Sequence, residues 1–110
     1  MASFADPRVA FFASEQLPRL RERFAPLRAI VFGSRARGDA LSTSDLDLIL
    51  VSPCFDQVPF LERPVRVLEM LGYPGGLELL CYTPEEFEMR QEELGLVQVA
   101  CTEGFELPRA

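Results

Sequence analysis

Residues Gly33 to Val51, GSRARGDALSTSDLDLILV, constrain this chain more than any other stretch. A Gly-Ser pair closes one apolar run, a short polar segment follows, and two carboxylates, Asp45 and Asp47, then open a second apolar run. Strand side chains alternate between faces. Asp45 and Asp47 are therefore expected on one side of a strand, about 6.6 Å apart along it, with Leu46, Leu48 and Leu50 on the other. Two acids so placed repel each other. Their charge is tolerated when a proton or a cation sits between them, and hard carboxylate oxygens suit Mg²⁺. The Gly33-Ser34 turn can bring backbone amides close to an anion, because glycine admits close approach and a helix N-terminus favours negative charge. A cation site beside a phosphate cradle points to nucleotide chemistry.

The flanking sequence reads as alternating helices and strands. Asp6-Pro7 has the form of a cap and first helical residue, and Val9, Ala13, Leu17, Leu20 and Phe24 recur at helical spacing. Pro18 removes a backbone donor inside that pattern, so a kink or division is expected, with a second piece starting near Ser14. Phe11 and Phe12 together exceed what one buried face needs, which leaves one of them for a partner. Leu27 to Phe32 reads as the first strand, Ser34 to Asp39 as a short helix ended by Gly38, and Asp45 to Val51 as a second strand buried on both faces. Phe60 to Leu71 reads as a helix with Leu61, Val65, Leu68 and Leu71 inward, and Leu77 to Tyr82 as a third strand. Thr83-Pro84-Glu85-Glu86 is a capping-box sequence, with Phe87 and Leu94 inward from the helix it opens. A last helix runs through Val97, Ala100 and Cys101, and Phe105 to Leu107 follows as a short edge strand.

Composition narrows the function. The 110 residues are expected to form one domain, 1–110, and 48% hydrophobic content supports a globular fold rather than disorder. With helices and strands in this order, the fold expected is α/β, a small mixed sheet with helices packed against it. No apolar run reaches about 18 residues and no leader pattern opens the chain, so neither a membrane span nor a signal peptide is expected. The net charge of −6 argues against broad nucleic-acid binding, which needs basic surface. All 11 basic residues are arginine, so any phosphate contact from a cationic side chain falls to arginine. Arg35 and Arg37, two apart, do not share a helix face, and Arg37 is favoured. Cys54, Cys81 and Cys101 show no paired spacing and the chain has no histidine, so zinc is not expected. Buried, reduced thiols in a cytoplasmic protein are.

The apolar strand, Gly33-Ser34, ten residues and then Asp45-Leu46-Asp47-Leu48 together resemble the nucleotidyltransferase superfamily that includes polymerase beta and the kanamycin nucleotidyltransferases. A later single acid, Glu78 in Leu77-Glu78-Leu79, completes the pattern. At this length the chain is similar to the minimal nucleotidyltransferases that pair with a separate helical HEPN protein. The resemblance runs from about Arg19 to Leu107.

It implies a polymerase-beta-like nucleotidyltransferase fold in which Asp45, Asp47 and Glu78 hold Mg²⁺, two ions in all, beside ATP. Gly33 and Ser34, with Arg37, would hold its phosphates. Many members carry Asp at the third position, so the longer Glu78 departs from the pattern. The activity implied is AMP transfer from ATP to a hydroxyl, a tyrosine of a HEPN toxin, with this chain as antitoxin in a hetero-oligomer. The rivals are transfer to a small molecule such as an aminoglycoside, and neutralisation of the toxin by binding alone.

Overall fold

The two apolar runs flanking Gly33 become the central strands of one mixed sheet. In the computed structural model, which describes residues 6–93 and 95–108, strand β1 (Arg28–Phe32) pairs antiparallel with β2 (Leu46–Val51), setting Phe32 opposite Asp47. Strand β3 (Leu77–Tyr82) lies parallel on the other side of β2, with Glu78 opposite Asp47. The two-residue β4 (Phe105–Glu106) pairs antiparallel with β1, so the order is β3-β2-β1-β4. The mixed α/β architecture is the one the sequence led us to expect.

Period-two alternation sorts β2 between two cores. Leu46, Leu48 and Leu50 pack with Ala29 and Val31 beneath α1 (Pro7–Phe11), α2 (Leu17–Phe24) and α4 (Arg63–Met70). On the opposite face Ile49 and Val51 meet Ile30, Tyr82 and residues of α5 (Pro84–Glu92) and α6 (Leu96–Glu103). Burial on both sides, at about 25 cal/mol per Å² of apolar surface, accounts for the nearly unbroken apolar run. No helix among the described residues is long and apolar enough to cross a membrane.

Asp6 caps α1 as expected, accepting from the amides of Arg8 and Val9 at 2.8 and 3.2 Å. The division expected near Ser14 takes another form. The chain continues through a π turn at Phe12–Gln16 and re-enters α-geometry with Pro18 in the first turn of α2. A widened turn just before proline gives its ring room against the preceding carbonyls, so the helical path survives. Phe12 is fully buried and Phe11 is 49% exposed.

The inward stripe of α4 corrects the sequence reading. A 3-10 turn at Phe60–Glu62 precedes α4, which buries Arg63 and Val67, with Leu71 following, whereas Leu61 is 82% and Val65 48% exposed. Arg63 sets this rotation. Its guanidinium donates to Val58 O at 2.8 Å, to Cys81 O at 3.1 Å and to the Glu86 carboxylate. An arginine with all three side-chain nitrogens hydrogen-bonded can be buried, and it carries the residues four and eight positions on inward with it. Hydrophobic periodicity does not register such a residue. The capping box at Thr83 and Glu86 forms as read, and the hydrogen bond from Arg63 holds the Glu86 carboxyl below the usual carboxylate range.

Cys54 is exposed, contrary to expectation. It lies in a 3-10 turn at Pro53–Phe55 where Phe55 takes the buried place. Cys81 is buried, and burial pushes its thiol up to about 12. Leu94 and the side chain of Cys101, both read as inward, lie outside what the structure describes.

Candidate active site

Where β1 ends, Gly33 adopts φ 76° and ψ −157°, a conformation open essentially to glycine alone. Helix α3 (Ser34–Arg37) starts there, the amides of Ala36 and Arg37 both donating to Gly33 O at 3.1 Å. Gly33 is thus the cap, and the amides of Ser34 and Arg35 precede the first bonds that the helix can supply. Gly38, at φ 85°, donates to Ser34 O at 2.9 Å and ends the turn. Because Asp47 stands opposite Phe32, its carboxylate comes up against Gly33. A β-carbon at position 33 would overlap Asp47 Oδ2. Glycine is therefore required here for conformation and for space.

The register places Glu78 beside Asp47 on neighbouring strands, and partners in a parallel ladder share a face. Asp45 stands one residue ahead of β2, exposed. Partial burial raises the pKa of Asp47, and the nearby charges of Glu78 and then Asp45 raise it further, while Arg37 opposes them. Glu78 and Asp45 are therefore each close enough to act on Asp47. Among the described residues, however, no three acidic, histidine or cysteine side chains are drawn tightly around one point. The chemistry of Asp45, Asp47 and Glu78 nonetheless suits a hard divalent ion: all three side chains offer carboxylate oxygens, and the repulsion exerted on Asp47 would be relieved by a cation.

Two grooves meet at Asp47. One, of about 360 Å³, is lined by Gly33, Ser34, Arg37 and Asp47 with Glu103 of α6. The other, of about 510 Å³, is lined by Asp47, Glu78, Phe32 and Leu80. Arg37, half exposed, also bonds Asp39 at 3.2 Å. Of the candidate residues, Gly33, Ser34, Arg37 and Asp47 share the first groove, and Glu78 reaches Asp47 through the second.

Sequence reasoning missed the residues that hold this arrangement in place. Arg35 is 5% exposed and donates to both carboxylate oxygens of Asp6 at 3.0 Å, to Ser42 O at 3.2 Å and to Ser44 O at 2.9 Å. Arg8 donates to Gly75 O and Gly76 O at 3.1 and 2.9 Å. The start of α1 thereby fastens the segments leading into both acid-bearing strands. Asp6 was legible as a cap, but its second partner lies 29 residues away and no local pattern announces it. Replacing Arg35 by Met leaves Asp6 and the Ser44 carbonyl without that donor. The expected cost is about 3–5 kcal/mol in urea denaturation.

The family model for the nucleotidyltransferase domain matches residues 13–99, a span containing Gly33, Ser34, Arg37, Asp45, Asp47 and Glu78. A Sulfolobus solfataricus protein provisionally described as a nucleotidyltransferase, solved at 1.40 Å, superposes with a TM-score of 0.58. It is 20% identical, over 93% of this chain and 78% of that one, and at that identity the likeness speaks for the fold. No curated protein matches the chain.

Proposed function

Since the chain belongs to the nucleotidyltransferase domain family, we propose that it moves AMP from ATP to the hydroxyl of a partner protein. The observation that carries this reading is the pairing of Asp47 with Glu78 on one sheet face, with Asp47 against the Gly33 turn. The triphosphate lies in the groove of Gly33, Ser34 and Arg37, where amides at the start of α3 and a guanidinium offer donors to its oxygens. Asp45, Asp47 and Glu78 would hold Mg²⁺, which when bound would polarise phosphoryl oxygens and lower the pKa of a hydroxyl. The acceptor oxygen attacks the α-phosphorus, the bond to pyrophosphate breaks, and Glu78 takes the hydroxyl proton.

The partner reading rests on the resemblance to minimal nucleotidyltransferases. It makes the acceptor a tyrosine of a helical HEPN toxin, this chain its antitoxin, and the two a cytoplasmic hetero-oligomer. A second reading, neutralisation by binding alone, is favoured by the exposure of Glu78 and by the looseness of the acid cluster. One experiment separates them. Purified protein, Mg²⁺, labelled ATP and the product of the adjoining gene are mixed, and the mass of that product is followed. An increment of one or more AMP, with loss of the product's toxicity, is expected. Full neutralisation without any increment sinks the transfer reading.

A further inference from the structure

Among the described residues, the strand that carries Glu78 is an edge strand, and its outer side is open where the acid lies. Leu46 N bonds Gly76 O at 2.8 Å and Ser52 N bonds Tyr82 O at 3.0 Å. In a parallel ladder of this register, the backbone groups of Glu78, Leu80 and Tyr82 then turn toward β2, and those of Leu77, Leu79 and Cys81 turn outward. Arg63 occupies the far end of that edge by donating to Cys81 O at 3.1 Å. Among the described residues, no hydrogen bond reaches the outward groups of Leu77 and Leu79. The strand, LELLCY, has a single charge and neither proline nor lysine to discourage pairing.

We propose that this edge receives the acceptor as an extended peptide running antiparallel to β3, its backbone pairing with Leu77 and Leu79 and a tyrosine lying opposite Glu78. The inference rests on the nucleotidyl-transfer reading and specifies how that acceptor is held. A strand added beside β3 directs the side chain opposite Glu78 to the face shared with Asp47, about 5 Å from β3 and about 10 Å from β2. Only a long side chain with a terminal hydroxyl spans that interval, which selects tyrosine over serine or threonine. The groove it enters, about 510 Å³, has Phe32 and Leu80 for the ring and Glu78 for the hydroxyl proton. Main-chain bonds supply affinity and the single side chain supplies the choice of acceptor.

The probes are acetyl-Thr-Val-Tyr-Val-Thr-amide, N-acetyltyrosinamide, and the peptide N-methylated at both valines, whose amides face β3 when the peptide runs antiparallel to it with tyrosine opposite Glu78. With Mg²⁺ and labelled ATP, the peptide is expected to be labelled about tenfold faster or more than the single amino acid at equal concentration. Valine methylation removes that advantage, and methylation at the tyrosine amide, which points away, leaves it. Independently of turnover, the peptide shifts the amide resonances of Leu77 and Leu79. Equal labelling of peptide and amino acid, no loss on valine methylation, or unmoved Leu77 and Leu79 resonances overturns the proposal. Failure of labelled ATP to bind defeats the transfer reading instead, and the resonances still decide whether the edge takes a peptide.

Discussion

Asp47→Asn is expected to lower nucleotidyl transfer by about 10³-fold or more while raising the melting temperature of the protein in EDTA. Both effects follow from one carboxylate. Asp47 is partly withdrawn from water and faces Glu78 and Asp45, with only Arg37 opposing them, so its pKa in the folded protein lies above the usual carboxylate value. The native state holds a proton at pH values where the unfolded chain has lost it. Stability contributed by this group therefore falls as pH rises through the raised value, and the deficit persists above it. Asparagine has no such deficit. In EDTA the variant should melt higher than the parent near neutral pH, with the gap closing as pH falls below the raised value. Adding Mg²⁺ should raise the melting temperature of the parent and leave that of the variant nearly unmoved. A variant that melts lower than the parent in EDTA at neutral pH would show that Asp47 is a structural residue.

Gly33→Ala is expected to damage both properties together. The left-handed backbone at φ 76° and ψ −157° costs a residue with a side chain about 1–3 kcal/mol. The added methyl also overlaps Asp47 Oδ2, so the carboxylate has to move from its place between the two grooves. A displacement of about 1 Å at a reacting centre can cost about 10²-fold in rate. The urea midpoint should fall and transfer should drop by roughly that factor. The two variants thus have opposite signs in stability and the same sign in activity, a pattern that general misfolding does not produce. Wild-type transfer rates in Gly33→Ala would remove the Gly33–Asp47 contact from the account.

Several elements were legible because their physics is local. The nearly unbroken apolar run in Leu46–Val51 identifies a doubly buried strand, the Thr83-to-Glu86 spacing identifies a capping box, and Asp6-Pro7 identifies a helix start. Each depends on neighbours within one turn or one pleat. The inward stripe of α4 was misread because Arg63 is buried by partners at Val58, Cys81 and Glu86, and a hydrophobic pattern counts arginine as surface. Cys54 was misread for a related reason: the turn after β2 has one inward position, and Phe55 takes it.

By itself the sequence determined that two acids would enter a buried strand just after a glycine turn, since alternation and glycine geometry act over a few residues. Only the tertiary structure decided that Glu78 would stand beside Asp47, that the start of α1 would fasten both acid-bearing strands, and that Arg63 would occupy one end of the β3 edge. These are matters of register and of contacts between residues far apart in the chain. They are set by how the sheet and its helices bury their apolar faces together, and no short window of sequence contains both partners.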